Sequence, residues 1–340
     1  MTPGPVVPKF DRVGLALVAL LIVWVGIAAL VSGRSPRGTI LTIVLTAVAF
    51  ALGRAATRFL PPWVLPATVL VFAYAVFLES PGGTFSLSVQ GFLGYANAKA
   101  AFFVQAAFAT AMIVAAVRSP VVAVISLPAI ALFALIPVYS RSLGGFLSSL
   151  ILVPALFVAL VARWRRAAIV LAAVLAFGAI GTSLFLAREF ADDRHSALED
   201  RFAELLDRGR AALWADSYRL VREYPGFGVG PGGFAEQSPT AAAERDLRWA
   251  HNEFLQQAAE TGLPGLVFLA ALLAWLLWGL WRANTTPAAV AAFAISSLVA
   301  HACADYLFHF PLLPAMTVAL AGSATSSERQ WDRAAVSTGG

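Results

Sequence analysis

The sequence predicts an all-α membrane protein: a polytopic transmembrane helical bundle of about ten spans, with a large extracytoplasmic loop that contains amphipathic helices. Three observations support this prediction. The chain of 340 residues is 59% hydrophobic and only 13% charged, whereas soluble domains carry roughly 25% charged residues. Apolar runs of the roughly 20 residues needed to cross a bilayer recur along most of its length. One long polar block, residues 188–250, interrupts them.

The apolar runs define the spans in order. They cover residues 13–32, 39–57, 62–78, 98–117, 119–138, 144–162, 167–187, 262–281, 286–303 and 307–323. The first run follows a short, weakly basic start and is long for a signal core, so we expect a retained span and not a cleaved signal. Residues 79–97 predict a loop or a re-entrant segment. Residues 118–120 separate two long runs and predict a tight hairpin turn.

The positive charges lie mostly in short loops, where they orient helices. A net charge of +5 would suggest nucleic acid for a soluble protein, but here we expect no nucleic-acid partner. By the positive-inside rule the following residues share the cytoplasmic side: Lys9, Arg12, Arg54, Arg58, Arg118, Arg163, Arg165, Arg166 and Arg282. Arg34, Arg37 and Lys99 would then lie outside the cytoplasm, against the rule, so their positions need an explanation. The protein is therefore expected to be multi-pass in the plasma membrane, with residues 188–250 outside the cytoplasm.

Within the polar block, apolar residues recur at roughly helical spacing from residue 196 to residue 223. We expect one or two amphipathic helices against the outer membrane face, ended by Pro225 and the glycines that follow it. The predicted organisation is then N-terminal transmembrane helices (1–187), the extracytoplasmic loop (188–250), C-terminal transmembrane helices (251–325) and a cytoplasmic tail (326–340).

Two arginines are candidates for binding an anion. Arg141 lies at the start of the predicted span 144–162, where an arginine opposes the helix dipole and does not stabilise the helix. Its planar donor fork matches a phosphate group; the alternative is an arginine that anchors the helix at the membrane surface. Arg210 shares one face of the predicted amphipathic helix with Trp214; the alternative is that it belongs to the solvated side of that helix.

His251 is the first candidate for catalysis, because ionisable side chains at membrane depth are rare and costly. It stands at the mouth of the span that is predicted to begin at residue 262. A neutral imidazole can take a proton from a hydroxyl group near neutral pH. Asn252 and Glu260 offer hydrogen bonds nearby, and Glu260 could also pair with an arginine. The alternative is a structural histidine at the membrane interface.

The glycine-rich segment 224–234 formally contains G-x-G-x-x-G. A dinucleotide site needs a strand before this motif and a helix after it, whereas here a helix precedes it and Pro231 interrupts it. We therefore exclude a nucleotide fold. The glycines are expected to let the backbone turn sharply and approach a ligand or the bilayer; an ordinary surface loop is the alternative.

A further pattern lies in the last spans. His301, Asp305 and His309 stand four apart and would share a face on a continuous helix. Such a row could hold a metal, but a polar seam between helices is the favoured interpretation, so no metal site is expected. The single cysteine, Cys303, excludes a disulfide framework and a cysteine-rich zinc cluster.

Together these segments resemble the O-antigen ligase family, whose core domain is shared by O-antigen polymerases. The resemblance spans roughly residues 90–320 and is strongest in the histidine motif. The matching segments are His251-Asn252-x-x-Leu255 followed by Gly262-x-x-Gly265-Leu266, Arg210-x-x-x-Trp214, residues 225–234, Ser140-Arg141, and the weaker Gly94-Tyr95-Ala96-Asn97-Ala98 and Val299-Ala300-His301 with Asp305.

The resemblance implies transfer of a glycan from an undecaprenyl-diphosphate carrier to an acceptor hydroxyl on the extracytoplasmic face, without a metal or other cofactor. His251 would take the proton of the acceptor hydroxyl as it attacks the anomeric carbon. Arg141 and Arg210 would hold the diphosphate and neutralise the charge that grows as it leaves. Asn252 and Glu260 are expected among the substrate-binding residues. The implied partners are the polyprenyl-diphosphate-linked glycan, a glycan, lipid or protein acceptor, and the lipid bilayer.

Two alternatives stay open. A polysaccharide polymerase of the same family would use the same donor with a growing glycan as acceptor. A multi-pass solute transporter would be expected to show broken helices and a charged site near the membrane midplane. The ionisable residues of this sequence gather near the predicted outer ends of the spans instead, which favours the enzyme.

Overall fold

The computed structural model describes residues 9–78, 95–192, 208–244 and 247–325. Across these ranges the secondary structure is helical and contains no strand, which confirms the all-α expectation. The helices are α1 (Lys9–Ser32), α2 (Arg37–Ala56), α3 (Val64–Leu78), α4 (Ala96–Val117), α5 (Pro120–Tyr139), α6 (Leu143–Ser149), α7 (Leu152–Val161), α8 (Arg165–Ala191), α9 (Arg208–Glu223), α10 (Phe234–Gln237), α11 (Pro239–Ala243), α12 (Glu253–Ala283), α13 (Thr286–Ala302) and α14 (Leu312–Ala324), with a 3-10 turn at Leu307–His309.

The protein is a multi-pass membrane protein. In the described ranges, seven helical segments are long and apolar enough to cross a membrane: α1, α2, α4, α5, α6 together with α7, α8 and α12. Three shorter apolar helices, α3, α13 and α14, complete the set. These ten segments follow the ten apolar runs of the sequence in the same order.

The structure differs from the predicted spans at two starts. Helix α12 begins at Glu253, whereas its apolar run begins at residue 262. The last run was predicted from residue 307, but Leu307–His309 form a 3-10 turn and α14 begins at Leu312. The predicted hairpin between α4 and α5 is confirmed: Arg118 closes α4 in the left-handed region (φ 54°), and Pro120 is the first residue of α5.

The chain forms two compact units, each made of separate stretches: Met1–Val44 with Thr182–Gly279, and Leu45–Gly181 with Leu280–Gly340. Below they are called the first and the second unit. The sequential division at residues 187, 250 and 325 stays a prediction, and the proposed tail 326–340 lies outside the described residues, as do residues 79–94 and 193–207.

In the second unit α4 and α13 are mostly buried, and α4 packs against α3, α5 and α13. Small residues also bring α2 and α14 of this unit close together, as in many membrane bundles. A Cβ added at Gly53 of α2 would lie 2.9 Å from the Cα of Ala319 on α14. Ser297 donates a hydrogen bond from Oγ to the carbonyl of Ser148 (3.0 Å), which is a favourable contact in a medium that offers no water.

In the first unit, α9 is the described part of the predicted amphipathic region. It ends at Glu223, just before Pro225, as expected from the sequence. Its apolar residues enter two core clusters, one around Leu213 and Leu220 and one around Trp214. Helices α10 and α11 follow as short turns.

Candidate functional site

The candidate site in the first unit is built around a break in α12. Gly262 has non-helical dihedrals (φ 70°, ψ −179°), a combination that only glycine adopts readily. Pro264 follows and has no N–H to donate to the preceding turn. The helix is therefore two helical pieces, residues 253–261 and residues 263–283, joined at Gly262.

The break frees carbonyl groups that a continuous helix would use. Three of them accept hydrogen bonds from elsewhere in the first unit: Ala259 from the N–H of Val229 (2.9 Å), Glu260 from the N–H of Gly230 (2.9 Å), and Thr261 from Nε1 of Trp24 (2.7 Å). In return the N–H of Leu263 donates to the carbonyl of Pro225 (2.9 Å). The broken backbone is thereby satisfied by protein groups, as a membrane environment requires.

The glycine-rich segment lies directly against this break. Gly228 and Gly230 have positive φ values of 68° and 89°. A Cβ at residue 228 would lie 2.6 Å from the carbonyl oxygen of Glu260, and a Cβ at residue 230 would lie 2.9 Å from Cδ of Arg34. The expectation of sharp turns is met. The close approach that Gly228 permits is to the protein's own broken helix, and the one that Gly230 permits is to Arg34.

His251 lies immediately before α12. Its side chain is buried (8% exposed), and its backbone occupies the left-handed region with φ 48°. Such a conformation costs a non-glycine residue about 1–2 kcal/mol, so neighbouring contacts must hold it in place. The next residue, Asn252, caps the helix: its Oδ1 accepts hydrogen bonds from the N–H groups of Phe254 and Leu255, both at 3.1 Å.

Glu260 and Gln256 form a buried pair on the first piece of α12. Nε2 of Gln256 donates to Oε1 of Glu260 (3.1 Å), and Oε1 of Gln256 accepts from the N–H of Ala250 (3.1 Å). Oε2 of Glu260 accepts from the N–H of Gly232 (2.8 Å). Glu260 is a predicted site residue, whereas Gln256 is not. The signal available was its spacing of four residues from Glu260, which places both side chains on one helix face.

Arg210 lies on the first turn of α9 and is half-buried. Helix α9 packs onto the first piece of α12, because Leu213 shares a cluster with Ala259 and Trp214 shares another with Leu255. The structure thus anchors the helix that carries Arg210 to the helix that follows His251.

Two polar networks fix the rest of this unit. The buried carboxylate of Asp216 accepts hydrogen bonds from Oγ of Ser238 (2.7 Å) and from the N–H of Thr240 (3.0 Å). Arg34, one of the arginines that ran against the charge rule, makes a two-point ion pair with Glu236, with N–O distances of 3.2 and 2.7 Å. This pair raises the pKa of Arg34 and lowers the pKa of Glu236, in both cases mainly through the hydrogen bond. It also supplies a reason for an arginine at that position.

Arg141 belongs to the second unit. It is exposed, has φ 54°, and lies between α5 and α6. The next residue, Ser142, caps α6 by accepting from the N–H of Gly145 (3.0 Å). Gly144 lies against the imidazole of His301, since a Cβ there would be 2.7 Å from its Cδ2.

The row His301, Asp305 and His309 does not form, because α13 ends at Ala302. Asp305 is instead a buried acceptor. It receives hydrogen bonds from Oη of Tyr95 (2.9 Å to Oδ2) and from Nδ2 of Asn97. The structure therefore joins the two weaker signatures of the sequence. No group of three or more histidine, cysteine, aspartate or glutamate side chains suited to a metal occurs within the described residues.

Four of the five predicted site residues, Arg210, His251, Asn252 and Glu260, lie in the first unit, and Arg141 lies in the second. A search of curated proteins finds no match to the chain. The model of the O-antigen ligase family matches residues 128–270, a stretch that contains all five predicted site residues. In this stretch, and in its multi-pass helical architecture, the chain is similar to the O-antigen ligase family.

Proposed function

We propose that the protein is a membrane glycosyltransferase that moves a glycan from an undecaprenyl-diphosphate carrier to an acceptor hydroxyl on the extracytoplasmic face. The match of residues 128–270 to the model of the O-antigen ligase family supports glycan transfer of the ligase or polymerase type. The observation that carries the proposal is the placement of His251, a buried imidazole on a left-handed backbone position beside a capped helix start. Backbone strain that is held by surrounding contacts is a common property of functional sites.

In the proposed reaction the acceptor oxygen bonds to the anomeric carbon while the bond from that carbon to the diphosphate oxygen breaks. The diphosphate leaves with the bonding electrons, and His251 takes the proton of the acceptor hydroxyl. Arg210 is proposed to bind the diphosphate and to neutralise its growing negative charge. The reaction so written assigns charge neutralisation to arginine and requires no metal.

Arg141 is proposed as a further diphosphate-binding residue. This role rests on the resemblance of Ser140-Arg141 to the family's arginine site, together with the exposure of the Arg141 side chain. For Asn252 and Glu260, the observed hydrogen bonds support a role in holding the backbone around His251.

The transporter alternative expects broken helices, and α12 is broken at Gly262. In transporters of that kind the unwound carbonyl groups coordinate the transported ion. Here the carbonyls of Ala259, Glu260 and Thr261 accept hydrogen bonds from protein groups. The break therefore favours a structural joint over an ion site, which supports the enzyme.

The test is glycan transfer in membranes that are supplied with a polyprenyl-diphosphate glycan and candidate acceptors, with protein abundance measured in parallel. His251→Ala and Arg210→Ala should lose transfer at normal abundance. Arg222→Ala is the matched control, because Arg222 is an exposed arginine on the last turn of the same helix as Arg210. Unchanged transfer in the first two variants would refute the assigned roles. Activity only with a growing glycan as acceptor would identify a polymerase.

A further inference from the structure

A continuous chain of hydrogen bonds runs from the glycine-rich segment to the residue before His251. The N–H of Gly232 donates to one carboxylate oxygen of Glu260 (2.8 Å). The other oxygen of Glu260 accepts from Nε2 of Gln256 (3.1 Å), whose own Oε1 accepts from the N–H of Ala250 (3.1 Å). Two side chains thus connect two backbone segments that are separated in sequence.

The direction of each hydrogen bond in this chain is fixed by chemistry. Both backbone groups are N–H donors, so each end of the chain must present an oxygen. The carboxylate of Glu260 and the amide of Gln256 supply those oxygens. The side-chain NH2 group of Gln256 then remains as the donor that joins the two side chains. Gln256 and Glu260 are 3% and 7% exposed, so water can do little to satisfy a mismatched donor or acceptor on these side chains.

The chain ends where the strained backbone of His251 needs support. Gln256 holds the N–H of Ala250 on one side of His251, and the Asn252 side chain caps α12 on the other side. A left-handed backbone at a residue such as His251 persists only when the surrounding contacts determine it. These contacts hold the backbone on both sides of His251.

We propose that Gln256 and Glu260 are positioning residues, which hold the backbone at Ala250 and thereby aim His251 while coupling it to the glycine-rich segment at Gly232. This inference rests on the proposed function for what His251 does. It assigns a role to Gln256, and it replaces direct substrate binding by Glu260 with action through the backbone.

The test exchanges the two side chains. In Glu260→Gln, the amide oxygen at position 260 can accept from only one of the two donors, the N–H of Gly232 or Nε2 of Gln256. Its own NH2 group then faces the other donor. In Gln256→Glu, two carboxylates meet where an amide and a carboxylate stood. The double variant Gln256→Glu/Glu260→Gln restores the three hydrogen bonds of this chain, because the carboxylate at 256 accepts from Ala250 and from the new amide, whose oxygen accepts from Gly232. The total charge is also unchanged.

Each single variant should lower kcat for glycan transfer by about tenfold to a hundredfold, the scale of a small misplacement of a reacting group. The KM for the glycan donor should change by less than about threefold, because donor binding is not altered. The double variant should recover kcat to within about threefold of wild type. A double variant as impaired as the single ones would show that the carboxylate itself is needed at 260 and would overturn the proposal.

A second readout does not depend on turnover. The chain has four histidines, so the imidazole signal of His251 can be assigned in the NMR spectrum of histidine-labelled protein by comparison with His251→Ala. That signal should shift in both single variants and return in the double variant, and an unmoved signal would overturn the positioning role. Wild-type protein that transfers no glycan would refute the proposed function instead, so the two failures are distinguishable.

Discussion

The break in α12 makes Gly262 sensitive to a single added methyl group. In Gly262→Ala, the new Cβ would lie 2.6 Å from the carbonyl carbon of Gly226 and 2.8 Å from the carbonyl oxygen of Pro225. The dihedrals at this residue cost a side-chain-bearing residue about 1–3 kcal/mol. Moving the loop away also loses the hydrogen bond from Leu263 to Pro225 (2.9 Å), at a cost of about 0.5–1.5 kcal/mol. The expected destabilisation is the sum, about 1.5–4.5 kcal/mol.

The measurement is the thermal unfolding midpoint of the purified protein in detergent. Gly26→Ala is the matched control, because Gly26 is a helical glycine on α1 with no atom within 4 Å of its added Cβ. That control should be neutral or stabilised by up to about 1 kcal/mol. A Gly262→Ala protein that unfolds at the same temperature as Gly26→Ala would refute the account of the break.

Two further changes test the contacts around the break. Trp24→Phe keeps an aromatic ring but removes the Nε1 donor to the Thr261 carbonyl (2.7 Å); we expect a lower unfolding midpoint, from a loss of about 1–3 kcal/mol, and an unchanged midpoint would contradict this. Glu236→Gln removes the ion pair with Arg34. Because the pKa of Glu236 is lowered in the folded protein, the pair stabilises the fold at every pH above the pKa of an unpaired glutamate, about 4.3. This stabilisation disappears as the pH falls through the lowered pKa. The wild type should therefore unfold at a higher temperature than Glu236→Gln at pH 7 and at the same temperature in strong acid, and a difference that persists in strong acid would contradict the assignment.

The spans were predictable because hydropathy reports length and apolarity, which are the properties a bilayer selects. The same signal misplaced the start of α12. Residues 253–261 are polar enough to read as a loop, yet they are helical and mostly buried within the protein. Hydropathy could not reveal this, because the partners of these residues, such as Val229 and Gly232, come from another part of the chain.

The candidate site was predictable only where the chemistry lies in consecutive residues. His251, Asn252 and Glu260 stand within one short motif, and the structure keeps them in one unit. Gln256 was missed because its importance depends on a backbone N–H that only the turn before α12 brings within reach. The row of His301, Asp305 and His309, which was the disfavoured alternative, is absent for a related reason: spacing by four assumes a helix that continues, and α13 ends at Ala302.

The hydrogen bond from Trp24 to Thr261 joins residues 237 positions apart, and this separation affects the order of assembly. During synthesis α1 enters the membrane long before the broken helix has been made. The contacts of α1 within the first unit, including the hydrogen bond from its indole, can form only after residues 182–279 have been made. The intervening spans are inserted before that. The first unit is consequently completed late, so a nascent chain that stops before residue 261 leaves α1 without its proper neighbours and exposed to quality control.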